Sequence, residues 1–553
     1  MAKIDSKLNK GFFYTLAAIT LCITPWITYD PINSPKFSLL IALAATLILF
    51  GFKKTTFIKL FGNRIYIVIN VLFIASLIFV FISNGNNRTQ QLFGVDGRNT
   101  GLLTYISLTI IALYASSLQI DLAVKNFYKT LRFLVLILNF YGIAQILDLD
   151  PVNWTSRYPG ITGTFGNPNF FSAFLGFSSA SLAVYTLKLR KRKEIAHTIL
   201  LVIFSLFNLI FTDSTQGYLV FIISILASLT LMIFNSNKNF KLKIMFNFAL
   251  LISLVTGLLD VFQKSPWRPI LYQDSITYRG DFWRAGIKML QDHPVSGVGI
   301  DNYRDWYLRS IDQVAIQRFQ PGNFTDSAHN LFIDMGSNGG FPLIVIYSLF
   351  VLYTFFSAIR TFKNQEKMNY EFLGIFALWI GFQAQSLISI NNIALAIWGW
   401  VTSGLVVAYG RSSRSALSTV PSGLVFSGSK AFHRFMSKLV PFFIFAGGIG
   451  IAIPQLLSDV NFNSALKAQS SKRLFDSVNS WPQSTNRMLY AVQIFIENNK
   501  YEEALQITKK SIQSNPNSYE SWFLLSRNSL ASQKDINEAA FMMKKLNPLA
   551  SNP

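Results

Sequence analysis

The feature that most constrains this chain is an apolar run that keeps returning. Runs of roughly 15 to 21 residues, close to the ~20 needed to cross a bilayer core, occupy 11–28, 38–52, 65–83, 101–119, 131–147, 169–187, 197–212, 216–235, 244–262, 340–359, 372–389, 393–410 and 439–456. Inside hydrocarbon every backbone N–H and C=O has to be satisfied within the protein, so single apolar runs of this length are helices. The expected fold is therefore all-α: a polytopic membrane protein with about 13 transmembrane helices. Composition agrees, because 51 % of the 553 residues are hydrophobic, 51 are Phe and only 14 % are charged, too few to give most of this sequence a soluble surface.

Lys3, Lys7 and Lys10 precede the first run as they would in a signal peptide. The run ends in Pro25, Trp26 and Tyr29 without a small-residue cleavage site, so it reads as a retained first helix. A net charge of +22 would suggest nucleic acid in a soluble protein, but here the basic residues alternate between the connecting loops. Loops on one side carry clusters such as Lys53, Lys54, Lys59 and Arg64, or Lys188, Arg190, Lys191, Arg192 and Lys193. Short loops on the other side hold only Lys36, Arg88, Arg98 and Arg157. Basic residues in short loops stay in the cytoplasm, so the expected arrangement is a plasma-membrane protein with its N-terminus cytoplasmic and no nucleic-acid partner. With these assignments no Lys or Arg falls inside a span, which disfavours an ion-coupled transporter.

Two segments fall outside the membrane, both on the extracytoplasmic side. The first, 264–339, is too long for a connector and lies within a membrane domain spanning 1–456. The second, 457–553, mixes charges of both signs. Its Pro482, Pro516 and Pro548, and the "YEEAL" and "INEAA" stretches around Ala504 and Ala539, recur at the spacing of tetratricopeptide-like helical hairpins. A short C-terminal α-solenoid is expected there, leaning on the membrane domain or on a protein partner.

Candidate chemistry concentrates in the long loop. "DSAHNLFIDMGSNGGF" places His329 and Asn330 just before the tenth span, where an imidazole suits proton transfer from a hydroxyl. "YRGDFWRAGIKMLQDHPVSGVGIDNYR" supplies Arg279 and Arg284, and a helix over 279–291 would put Arg279 and Trp283 on one face. Arginine grips phosphate oxygens in pairs, which fits a lipid pyrophosphate headgroup, although interfacial arginines are common. In "GTFGNPNFF", Asn167 reads as a helix cap with Pro168 at the first helical position, and a helix start at the outer surface could contact an anion. Arg98 in "DGRNTGLLTY" is either an interface anchor or a headgroup ligand. The single Cys22 excludes an intramolecular disulfide, and neither the cysteine nor the four His residues show metal-ligand spacing, so no metal or cofactor is expected.

In their order along the chain, "GRNTGLLTY", "GTFGNPN", "TDSTQG", "YRGDFWRAGIKMLQDHPVSGVGIDNY" and "AHNLFIDMGSNGG" resemble the bacterial O-antigen ligase/polymerase superfamily. That superfamily includes O-antigen ligases, Wzy-type polymerases and protein O-oligosaccharyltransferases. The resemblance implies a GT-C-like membrane glycosyltransferase that moves glycan, without a metal and with inversion, from undecaprenyl pyrophosphate to a hydroxyl on a glycan, lipid or protein acceptor. It implies that His329 is the acceptor base or orienter and that Arg279 holds the pyrophosphate. Arg98, Arg284, Asn167, Asn169 and Asn330 are the further candidate substrate contacts. Two departures stand out: Thr215-Gln216 occupies a place where many members have Arg, and Phe341, Pro342 and Leu343 follow Gly340 where a G-x-x-G ending is common. The alternatives are a lipid-linked glycan transporter or flippase, which would need a polar path through the spans, and a scaffold for cell-envelope assembly built around the repeat tail.

Overall fold

The computed structural model describes residues 2–51, 60, 63–154, 159–234, 241, 244, 245, 248, 252, 274–318, 325–412 and 430–549. They form an all-helical protein. The N-terminal half comprises α1 (Ala2–Leu21), α2 (Asn33–Thr46, continued by a π turn to Gly51), α3 (Arg64–Ser83), α4 (Arg88–Phe93), α5 (Leu102–Ser117), α6 (Ile120–Ile146), α7 (Pro168–Thr186), α8 (Arg192–Ile210) and α9 (Thr215–Phe234). The long loop contributes α10 (Asp274–Asp292), α11 (Tyr303–Ser310) and α12 (Gln313–Arg318). The bundle resumes with α13 (Leu331–Lys363), α14 (Tyr370–Ser386), α15 (Ile393–Ser412) and α16 (Lys430–Lys467). The tail adds α17 (Ser471–Asn479), α18 (Thr485–Glu497), α19 (Tyr501–Ser514), α20 (Tyr519–Arg527) and α21 (Gln533–Leu546).

Twelve of the thirteen expected spans coincide with these helices; the ninth, 244–262, falls largely outside the described residues. Eight of the described helices are long and apolar enough to cross a membrane, so the chain is a multi-pass membrane protein. The most enclosed of them is α15, with 94 % of its span window buried, against 11 % for α16 at the periphery. Around α15 the bundle is packed by aromatic rings: Trp400 stacks on Phe350 at 4.7 Å, and Trp398 meets Phe127 and Phe174 edge-on. The Trp398 indole N–H is satisfied by Thr20 Oγ1 at 3.0 Å, as a polar group surrounded by apolar side chains requires.

Two details correct the sequence reading. Lys36, assigned to an outside loop, lies on the first turn of α2 and is fully buried. Its ammonium donates to the carbonyl oxygens of Cys22 at 2.7 Å and Thr164 at 2.8 Å, which tie the end of α1 to the "GTFGNPN" turn. A cation therefore does sit in a span. The helix of the tenth expected span, α13, begins at Leu331 rather than 340, and Gly340 (φ 70°, ψ −170°) interrupts it, so 331–339 and the stretch from 341 are separate helical pieces. α16 itself runs unbroken across 456, the expected end of the membrane domain.

The long loop folds on a small core of its own, with Trp283, Met289, Tyr303, Tyr307 and Ala328 enclosed together. Val298 N–H donates to Ser337 O at 2.8 Å and Phe341 N–H to Pro294 O at 2.7 Å, so the "HPVSGVG" turn closes on the break in α13. At Gly297 and Gly340 the backbone is left-handed, and a Cβ on either would strike the opposing backbone within 2.6 Å. In the tail, consecutive helices pack on one another around Phe462, Leu474, Met488, Val492 and Phe495, then around Trp522, Leu525, Ala539 and Met543. The tail docks on the rest of the protein through Arg487 to Asp96 (3.2 Å), Arg304 to Glu520 (2.6 Å) and Asn515 to Asp305 (2.9 Å).

Candidate active site

His329 lies at the end of the long loop, in the left-handed backbone region (φ 55°) that few side chains adopt. Its neighbours hold it there. The Asp334 carboxylate accepts from Ser327 Oγ at 2.7 Å and from the Ala328 N–H at 2.8 Å, and Ser327 Oγ in turn accepts from the His329 N–H at 3.0 Å. The imidazole Nδ1 is 3.3 Å from the Ser327 carbonyl oxygen. A carbonyl can only accept, so Nδ1 carries the hydrogen and Nε2 keeps its lone pair.

Helix α10 brings Arg279 to this histidine. Phe282, one turn after Arg279 and on the same face, places its ring 5.2 Å from the imidazole. Arg279 itself makes no hydrogen bond or ion pair among the described residues. Burial, unopposed by any carboxylate, draws its pKa below the ordinary arginine value, though a guanidinium stays charged at neutral pH. His329 is pushed down to about 4: burial is the largest cause, the Asp326 carboxylate opposes it, and the Arg279 and Arg98 charges reinforce it. The neutral imidazole with a free Nε2 is thus the form present at physiological pH.

Arg98 comes from the turn between α4 and α5 to the edge of the same group. It is bonded to Asp301 at 2.5 Å and lies 3.5 Å from Asp326, with only 10 % of its side chain exposed. Burial works against its charge, but Asp301 and then Asp326 outweigh it and hold the guanidinium above its usual value. The turn between α4 and α5 is thereby clamped to the long loop, and Arg98 reaches a ligand only alongside two carboxylates. Arg284 points elsewhere: it pairs with Asp281 and, at 2.7 Å, with Asp312. Asn330 caps α13, its Oδ1 accepting from the Phe332 and Ile333 N–H groups while its amide N–H donates to Leu387 O.

Asn167 caps α7 by accepting from the Asn169 N–H at 2.8 Å. Asn169 Oδ1 accepts from Ser214, and Ser214 accepts from Ser172. These bonds join "GTFGNPN" to "TDSTQG". Among the described residues no hydrogen bond or ion pair links this second group to His329, so the structure assembles Arg98, Arg279 and His329 and leaves Asn167 and Asn169 in a separate cluster.

Residues 199–348 match the family model described as O-Antigen ligase. The match covers roughly a quarter of the chain, and that segment is similar to the O-antigen ligase family. In the matched region lie α10, the loop core and the first piece of α13, hence Arg279, Arg284, His329 and Asn330; Arg98, Asn167 and Asn169 precede it. That description supports a glycosyl-transferring membrane protein of surface polysaccharide biosynthesis. No curated protein matches the chain.

Sequence reasoning passed over Asp301, Asp326, Ser327 and Asp334, which set the geometry and charge of the site. All four stand within motifs already singled out. Asp301 follows the glycine turn and has a positive φ (58°), a conformation Asp tolerates better than most residues.

Proposed function

We propose that this protein transfers glycan from undecaprenyl pyrophosphate to an acceptor hydroxyl at the extracytoplasmic face of the plasma membrane. The observation that carries the reading is a half-buried guanidinium, Arg279, with no hydrogen bond or ion pair among the described residues, beside a neutral histidine whose Nε2 accepts from none of them. His329 Nε2 takes the proton of the acceptor hydroxyl. The oxygen forms a bond to the anomeric carbon from the face opposite the pyrophosphate, the anomeric C–O bond breaks with its electrons passing to the phosphate oxygen, and the configuration inverts. Arg279 receives the growing charge on the departing lipid pyrophosphate, the role a metal ion would otherwise fill. The clamp of Arg98 on Asp301 and Asp326 keeps the outer turn and the catalytic loop in register.

In this reading the N-terminus is cytoplasmic, and the long loop and tail are outside. The tail, with its tetratricopeptide-like pattern, holds the loop through Glu520 and Asn515 and presents a surface for a protein partner. The test is release of lipid pyrophosphate from the cell's own lipid-linked oligosaccharide by protein in nanodiscs, with and without EDTA. Release that survives EDTA and falls at least a hundredfold in Arg279→Met supports the reading. Release that needs a divalent ion, or is unchanged in Arg279→Met, overturns it.

A further inference from the structure

A second polar cleft lies where the tail meets the first outside turn. Gly85, Asn87, Arg88 and Thr89 form one wall, and Gln483, Thr485 and Ser514 form the other, around about 250 Å³ of open space. That is slightly below the ~300–1,000 Å³ of small-molecule sites, so the cleft suits one or two units of a longer chain rather than a free compact ligand. Its lining is dominated by amide and hydroxyl side chains, with Arg88 as the single charge.

Two lining residues are more than nine-tenths buried and incompletely satisfied: among the described residues Asn87 Nδ2 and Thr485 Oγ1 have no hydrogen-bond partner. Buried polar groups left in this state cost free energy that a ligand's hydroxyls can recover. An adjoining recess is lined by Phe93 and Gln483, and against Phe93 stands Trp481, 5.5 Å away and 54 % exposed. An exposed indole beside a row of amides and hydroxyls offers an apolar ring for stacking and hydrogen-bonding partners for a polyhydroxylated chain. The same recess includes Gln90, whose amide donates to Asp301 O at 2.8 Å, and Asp301 holds Arg98. The cleft and the His329 site therefore share the Gln90–Asp301–Arg98 layer.

We propose that this cleft is a glycan-holding subsite, gripping saccharide units of the acceptor chain away from the reacting hydroxyl. The proposal rests on the glycan-transfer reading for the identity of its ligand. It also gives the tail a direct part in substrate binding, since Gln483, Thr485 and Trp481 all belong to it.

The experiment separates binding from turnover. Oligosaccharides of defined repeat number, released from the cell's own surface polysaccharide, are titrated into full-length His329→Ala protein in nanodiscs and followed by saturation-transfer NMR and calorimetry. The same titration is run with Trp481→Ala and with Thr485→Val/Gln483→Leu added. Binding by the His329→Ala chain that weakens about tenfold or more in both sets, with helicity and thermal midpoint preserved, supports the subsite. In the otherwise wild-type enzyme these variants should raise the acceptor KM and leave kcat near its starting value. Unchanged affinity in folded variants overturns the subsite while leaving the transfer reading standing. Binding at the cleft, together with a wild-type protein that never cleaves donor, overturns the transfer reading instead.

Discussion

Removing the Asp301 carboxylate should loosen the catalytic loop more than removing its partner Arg98. Asp301 Oδ1 takes the Arg98 guanidinium at 2.5 Å, and Oδ2 accepts from the Val95 N–H at 2.9 Å and from Thr100 Oγ1 at 3.0 Å. Both side chains of the pair are buried, at 10 % and 5 % exposure. Asp301→Ala strands a buried guanidinium, which costs about 3–5 kcal/mol. It also leaves the Val95 N–H without its acceptor, worth about 1–3 kcal/mol. Asp326, 3.5 Å from Arg98, absorbs part of this, so about 4 kcal/mol is expected, or roughly a thousandfold in the local opening equilibrium. Arg98→Met leaves the carboxylate two of its three donors and should cost less. Hydrogen exchange in nanodiscs reads the effect directly: amides over 95–101 and 298–303 should lose protection strongly in Asp301→Ala and moderately in Arg98→Met. Unchanged protection in Asp301→Ala, or a larger loss in Arg98→Met, would refute the clamp. A rise in donor KM in Arg98→Met with both segments fully protected would make Arg98 a ligand instead.

Three further outcomes follow from the geometry. Because His329 is held near a pKa of about 4 in the free protein and is needed unprotonated, kcat/KM should stay level from pH 8 down to about 5 and fall only below that; bound pyrophosphate raises the pKa, so the acid limb of kcat should lie higher. An acid limb of kcat/KM near 6.5 would mean the imidazole is not in this environment. Asp305 is raised to about 6, first by burial and against the hydrogen bond from Asn515, so its contribution to tail docking is full below the ordinary carboxyl pKa and is lost as pH rises through about 6. The protection factors of the amides over 515–527, corrected for the intrinsic pH dependence of exchange, should therefore fall between pH 5 and 7.5, and Asp305→Asn should flatten the change. Gly340→Ala places a Cβ 2.5 Å from Pro294 O at a φ of +70°, and should lower the thermal midpoint by the equivalent of at least ~1–3 kcal/mol; an unshifted midpoint would show that the break in α13 relaxes freely.

The membrane architecture was legible because its signal is long and one-dimensional: a run such as 65–83 has few alternatives, and the observed α3 departs from it by one residue. Span ends were less legible. α6 starts at Ile120, well before the apolar run at 131, because Val124, Phe127 and Tyr128 pack its first turns into the core while Lys125 and Lys129 stay exposed on the other side. Lys36 was misplaced for a different reason. Two backbone carbonyls, one of them 128 residues away, satisfy its ammonium, and no local pattern announces such partners. At the site, His329 and Arg279 could be singled out by residue type and motif, whereas Asp301, Asp326 and Asp334 act through contacts between segments. Arg284 shows the limit from the other side: its motif suggested a ligand, and its guanidinium is taken up by Asp281 and Asp312.

The central claim is that His329 is the base in a glycosyl transfer, and single-turnover transfer tests it most directly. Protein in nanodiscs is loaded with the cell's own lipid-linked oligosaccharide, acceptor is added, and transferred glycan is quantified for the wild type and for His329→Ala, with donor binding measured on the same samples. The account predicts unchanged donor binding and a transfer rate lower by about 10²–10⁴-fold in His329→Ala. Transfer within tenfold of the wild type, by a folded variant that binds donor normally, would contradict it.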